Sequence, residues 1–164
     1  MNAPEQATAL DLAPEFRDAG IREVLAALER DLLGPELAWT PDSSAVAFTR
    51  MDRMQTEIEA FLLDRSGRGG PRSLVRESSA AWVNAHEPPL FLPDGSGFLW
   101  LSERSGFLHL YRYGMDGRLL GPVTRGEWAI TDSPRLDARA GSVTFTATDR
   151  KSTRLNSSHG TLAR

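Results

Sequence analysis

Serine, histidine, paired carboxylates and glycine-rich turns are the features of this chain with chemical potential. Gly95-Ser96-Gly97 sets a serine between two glycines. A nucleophile elbow instead needs Gly-x-Ser-x-Gly, whose sharp strand-to-helix turn lifts the serine oxygen clear of a sheet. That spacing does not occur, so Ser96 is expected in a plain turn. The histidines, His86, His109 and His159, form no ligand pair at helical spacing. His109, between Leu108 and Leu110 in an expected strand, suits a structural role. His86 sits in an expected loop beside Glu87, an ordinary surface setting for an imidazole that titrates near neutrality. Glu57 and Glu59, two residues apart, share one face of a strand. General acid and base work would need one of them raised in pKa inside a pocket, and a solvated face is the simpler expectation. Gly67, Gly69 and Gly70 lie among Arg65, Arg68 and Arg72. A phosphate loop also needs a helix start to orient its N–H groups, and none follows, so a hairpin turn is expected. Trp82, Trp100 and Trp128 fall in or next to expected strands and read as core, not as a ligand cage. No catalytic or metal-binding residue is nominated, substrate-binding residues stay unassigned, and no cofactor is expected.

These residues belong to a chain of 164 residues, 40% hydrophobic and 25% charged, which suits one globular domain. A formal net charge of -3 supplies no basic field for a phosphate backbone, so nucleic acid is not an expected partner. No apolar run approaches the roughly 18 residues of a membrane span. The first residues, MNAPEQATALDLAPEF, lack the basic and apolar regions of a signal peptide. Without cysteine there is neither a disulfide framework nor thiolate chemistry. A cytoplasmic location is the default, and a periplasmic or secreted parent stays open.

The elements that position these residues repeat. WTPDSSAVAFTR (39–50), FLPDGSGFLWLSER (91–104) and LDARAGSVTFTATDR (136–150) each run from an apolar residue through a polar turn into an apolar strand. Pro41 and Pro93 are 52 residues apart, and Gly95 and Gly141 are 46 apart, close to a propeller-blade period of roughly 40 to 50. In the middle unit, Pro93-Asp94-Gly95 forces a reversal. Phe98 to Leu101 are apolar on both faces, as a strand is when covered on both sides. Phe107 to Tyr113 predicts a second strand, Asp116-Gly117 a hairpin turn, and Leu119 to Thr124 a more exposed strand. Gly126-Glu127-Trp128 begins the next unit. In the first unit, strands are expected at Ala45 to Thr49, Glu57 to Leu63 and Ser73 to Arg76. Glu, Ala and Leu also favour helix over 56–63, but the place of this segment in the repeat favours strand.

Residues 1–35 form an N-terminal segment in which Ile21, Val24, Leu25, Leu28 and Leu32 recur at helical spacing, closed by Gly34-Pro35. A packing helix over Phe16 to Leu33, or a displaced outer strand, is expected there, in preference to a partner-binding helix. After Arg150 the third unit breaks. KSTRLNSSHGTLAR has no alternation and no aromatic residue. Residues 151–164 read as a tail foreign to the domain, similar to translated vector or adaptor sequence, or else as a disordered terminus.

The stretch from Trp82 to Trp128 combines Phe-x-x-Asp-Gly, Ser-Glu-Arg-x-Gly, His-Leu-Tyr and Thr-x-Gly-x-Trp. In this combination it resembles the N-terminal propeller of dipeptidyl peptidase IV-like serine peptidases, of the prolyl oligopeptidase clan. The resemblance runs from about Trp39 to Arg150. It implies a mainly β fold, a partial β-propeller of about three antiparallel blade-like units over residues 36–150. It further implies a domain that restricts peptide access to an α/β-hydrolase domain carrying the catalytic triad, and that catalytic domain is expected to be missing from this chain. Peptide substrates would then belong to the parent. In dipeptidyl peptidases the propeller also anchors the substrate amino terminus through a glutamate pair upstream of a Trp-Ser-Pro-Asp-like turn. Before Trp39-Thr40-Pro41-Asp42 this chain has Glu23, Glu29 and Glu36 but no adjacent pair, so no anchor is carried over. The alternative is a stand-alone propeller-type module that binds protein or peptide without catalysis.

Overall fold

Turn chemistry decides where the sheets begin. Thr40 N–H donates to the Ala45 carbonyl at 2.9 Å, and Leu92 N–H to the Gly97 carbonyl at the same distance. Within each turn an aspartate accepts from the serine two residues on, through both its N–H and its hydroxyl. Asp42 takes Ser44 at 3.1 and 2.8 Å, and Asp94 takes Ser96 at 3.0 and 2.7 Å. The turns also share a left-handed residue, Gly95 at φ 69° in one and Ser43 at φ 57° in the other. Glycine adopts that region freely and serine does not. Ser43→Gly is therefore expected to stabilise the chain by about 0.5–1 kcal/mol, read as a shift of the urea midpoint at unchanged m-value.

Hydrogen bonds to Asp42, from the Thr40 hydroxyl first and then from Ser44, hold its carboxyl at about 2 against an ordinary value of 3.8. Asp94 is lowered by the same Ser96 contacts and by Arg112. A depressed folded pKa stabilises above the unfolded value. This contribution is full above about pH 4 and is lost as pH falls toward 2. Acid unfolding should steepen in that window, and Asp42→Asn should flatten it.

The computed structural model describes residues 37–84, 87–149 and 152–161. Among them every element is a strand. The expected helix over Phe16 to Leu33 lies outside the described residues, as do Glu23, Glu29, Glu36 and His86.

The chain divides into two units, at Pro88/Pro89. In the first, β1 (Leu37–Trp39), β2 (Ala45–Met51), β3 (Glu57–Asp64) and β4 (Arg72–Ser78) pair in sequence order as an antiparallel meander. This is one blade. The strand reading of residues 57–63 holds against their helical propensity, because β3 is paired along both edges and Ile58, Ala60, Phe61 and Leu63 are buried. Phe48 and Phe61, directly opposite in register, stack with ring centroids 5.4 Å apart.

In the second unit, β5 (Leu90–Phe91), β6 (Gly97–Ser102), β7 (His109–Gly114) and β8 (Leu119–Pro122) form a second four-stranded meander. All six positions of β6 are buried, as its two-sided apolar sequence requires. One face sets Phe98 opposite Tyr113, rings stacked at 5.3 Å, with Phe91 edge-on to Phe98 at 6.0 Å. The other face presents Leu99 and Leu101 with Leu110 of β7. They form one core with Ile130, Val143, Phe145 and Ala147 of the third sheet. Burial of each such aliphatic side chain contributes about 1.5–3 kcal/mol.

That third sheet consists of β9 (Arg135–Asp137), β10 (Ser142–Asp149) and β11 (Ser152–Thr161), in the order β11-β10-β9. Ala129 to Thr131 pair with the same edge of β10 as β9 does, through the Ile130–Ala147 bridge and bonds to Thr146 and from Thr148. Pro134, which has no N–H to donate, stands in the gap between these two pieces. Where a tail was expected, residues 152–161 form β11, opposed to Ser142 through Asp149 of β10. A backbone ladder needs no side-chain alternation, which is why the sequence pattern did not signal this strand. The described fold is a partial β-propeller of three antiparallel sheets.

Candidate functional site: the junction of the second and third sheets

His109, at the start of β7, is 2% exposed. Its Nε2 lies 3.0 Å from the Gly126 carbonyl oxygen and its Nδ1 3.0 Å from Thr124 Oγ1. A carbonyl only accepts, so Nε2 carries the proton. Nδ1 then accepts from the Thr124 hydroxyl, whose oxygen in turn accepts the Leu110 N–H at 2.9 Å. Every polar atom of this cluster is satisfied within the protein. The imidazole meets the Trp128 ring edge-on at 4.7 Å, and Trp128 stacks on Phe145 of β10 at 5.8 Å. Gly126 has φ 142°, and a Cβ built there would lie 2.2 Å from Trp128 Nε1. The Thr-x-Gly-x-Trp spacing thus has one physical meaning. Thr124 and Gly126 grip the imidazole, and glycine leaves room for the indole that carries the contact to β10. Ile130 N–H donates to the Leu108 carbonyl at 2.9 Å across the same junction. The arrangement binds one sheet to the next and offers no free acid, base or nucleophile.

The other sequence-nominated residues are dispersed. Ser96 Oγ caps Asp94 and accepts from Arg112 Nη2 at 3.2 Å, so it serves its turn. Glu57 pairs with Arg76 at 2.7 Å on an exposed face, and Glu59 lies opposite Arg50 and Arg76 in register. Such exposed pairs contribute at most about 1 kcal/mol. The glycine-rich segment joins β3 to β4 as a hairpin. There the Asp64 carboxylate takes the Ser66 N–H and hydroxyl, so a fixed negative charge already sits in this turn. His159 stands in β11 opposite Thr144.

Of the three tryptophans read as core, Trp100 is 1% exposed and Trp128 is packed against the core, as expected. Trp82 corrects the expectation, being 66% exposed. Beyond β4, Ser79 N–H bonds the Thr56 carbonyl and Val83 N–H the Gln55 carbonyl. That register turns Val83 inward and its neighbour outward. Arg104 was not nominated by sequence. Its guanidinium lies 4.7 Å from the Tyr111 ring centroid, Nε donates to Ser102 Oγ at 2.9 Å, and Nη2 bonds the Tyr113 hydroxyl. Arg104 braces the β6–β7 turn, and tyrosines spaced two apart opposite a Ser-x-Arg turn were the available signal. An open cavity of about 470 Å³ beside β9 and β10 is lined by Asp132, Ser133, Arg135, Thr144, Phe145 and Thr146.

Comparison with known proteins places these features. The model of the dipeptidyl peptidase IV N-terminal region matches residues 19–157. The chain belongs to this family. Dipeptidyl peptidase 4 of Arthroderma otae is 27% identical over 134 residues, which are 79% of this chain and 17% of that protein. The chain therefore spans about one sixth of the length of that relative. Among solved structures, a candidate dipeptidyl aminopeptidase IV from Bacteroides ovatus superposes with a TM-score of 0.65 at 21% identity. It covers 76% of this chain and 20% of its own. Dipeptidyl peptidase 4 of Porphyromonas gingivalis gives 0.56 at 24% identity, covering 74% and 19%. Both likenesses support the propeller fold. As a dipeptidyl peptidase IV N-terminal region, the chain is a partial propeller, and its junction cluster is architecture of that fold. No described helix is long and apolar enough to cross a membrane.

Proposed function

We propose that this chain is part of the propeller that controls peptide access to the catalytic domain of a serine peptidase, and that it does not catalyse alone. The observation that carries this reading is the family match over residues 19–157 in a chain one sixth the length of its relative. The parent would hold its Ser-Asp-His triad in an α/β-hydrolase domain and act on peptides. In this reading residues 1–35 lead into the propeller and residues 36–150 are its blades. The site assignment is that no residue of this chain is catalytic. The buried imidazole of His109 supports it, since both ring nitrogens are committed to Thr124 and Gly126.

The test compares purified chain with the product of the extended reading frame on an X-Pro chromogenic dipeptide. Cleavage by the extended product alone is expected. Turnover by the purified 164-residue chain itself would overturn the assignment.

A further inference from the structure

Residues 65–71, between β3 and β4, make the longest connection within either four-stranded sheet. Its two ends are held. Arg65 N–H donates to the Ser44 carbonyl and Gly67 N–H to the Asp64 carbonyl, both at 2.8 Å, and Gly67 and Pro71 are buried. Between them Arg68 and Gly69 are exposed. Arg68 N–H reaches only Ser66 Oγ, at 3.3 Å. Among the described residues neither the Gly69 nor the Gly70 N–H makes a hydrogen bond. A Cβ built on either glycine would meet no atom within 4 Å, so this stretch of backbone stands clear of the blade. Their φ angles are 83° and 71°, and glycine leaves that region for an extended form at little cost.

We propose that the Arg68–Gly69 bond is a processing site for an arginine-specific, trypsin-like serine peptidase, and that the nicked chain stays assembled. Such an enzyme takes the arginine into a pocket with a carboxylate at its base. Its serine oxygen attacks the Arg68 carbonyl carbon, the Gly69 nitrogen leaves with a proton, and water then frees the acyl group. In sum one water adds across one peptide bond. Nicking concentrates at exposed loop tips of small residues, and its rate follows how readily the segment opens. The other described arginines are tied. Arg50, Arg72, Arg76, Arg112 and Arg135 stand in strand ladders. The N–H groups that follow Arg53, Arg65 and Arg139 bond aspartate carboxylates. Arg104 is committed to Ser102 and Tyr113, Arg118 N–H bonds Asp116, and the Gly126 carbonyl after Arg125 holds His109. After the cut β3 and β4 remain paired from Glu57–Ser78 to Leu62–Arg72, with Phe61, Leu63, Leu74 and Val75 buried. None of this depends on the peptidase reading of the chain.

A time course of trypsin on the full native chain, followed by mass spectrometry, tests it. Among bonds within residues 37–149, cleavage after Arg68 is expected to run about tenfold ahead of any other. The pieces 1–68 and 69–164 should elute together on size exclusion and part only in denaturant. Arg68→Gln should abolish the early cut while circular dichroism keeps its strand signal, since no described residue pairs with that guanidinium. An earlier cut at another arginine of residues 37–149, or simultaneous loss at several of them, overturns the proposal. So does a nicked chain whose pieces separate without denaturant.

Discussion

Gly97→Ala should destabilise the second blade by about 3 kcal/mol, a large share of the roughly 5–15 kcal/mol typical of a folded domain. Gly97 opens β6 and lies opposite Gly114 of β7. A Cβ built on it would sit 2.0 Å from the Tyr113 carbonyl oxygen and 3.1 Å from its carbonyl carbon. These are backbone atoms, so no rotamer change relieves the clash, and β6 and β7 must part where Phe98 and Tyr113 stack. Gly95→Ala is the control. It meets no atom within 4 Å but carries φ 69°, so about 1 kcal/mol of backbone strain is expected. Urea denaturation of both variants separates the two causes. Equal losses would show that the close approach at Gly97 is not felt.

The second large effect concerns the junction. His109→Ala removes a fully buried ring, leaves the Gly126 carbonyl and the Thr124 hydroxyl without their partner, and takes the support from beneath Trp128. The cavity and the unmade hydrogen bonds together should cost about 3–4 kcal/mol. Trp128→Ala should cost a similar amount. Because the two rings touch, the double variant should lose about 1 kcal/mol less than the two single losses added together. Strict additivity would mean that His109 and Trp128 act independently and that the Thr-x-Gly-x-Trp segment is not a latch.

Much of this architecture was legible because its turns follow a local grammar. Pro-Asp at 41 and 93 set the period, and the segments after them became the central strands β2 and β6. The two-sided apolar run Phe98–Leu101 announced a strand covered on both faces. Residues 57–63 were readable only through the repeat, since their composition favours helix and pairing on both edges overrides it. The failures have equally local causes. Trp82 follows a bend at Ala80-Ala81. Which of Trp82 and Val83 faces inward depends on bonds to Thr56 and Gln55, far back along the chain. His109 was recognised as structural, but Thr124 and Gly126 lie fifteen and seventeen residues on, beyond any pattern of adjacent positions.

The genomic reading frame around codons 1–164 tests the central claim, that this chain is propeller from a larger serine peptidase. The frame is expected to depart from the present sequence near codon 150. It should then run through further blade repeats with a period of roughly 40–50 residues, as in repeat propellers, to a Gly-x-Ser-x-Gly elbow. A frame that reproduces KSTRLNSSHGTLAR and then stops would contradict it.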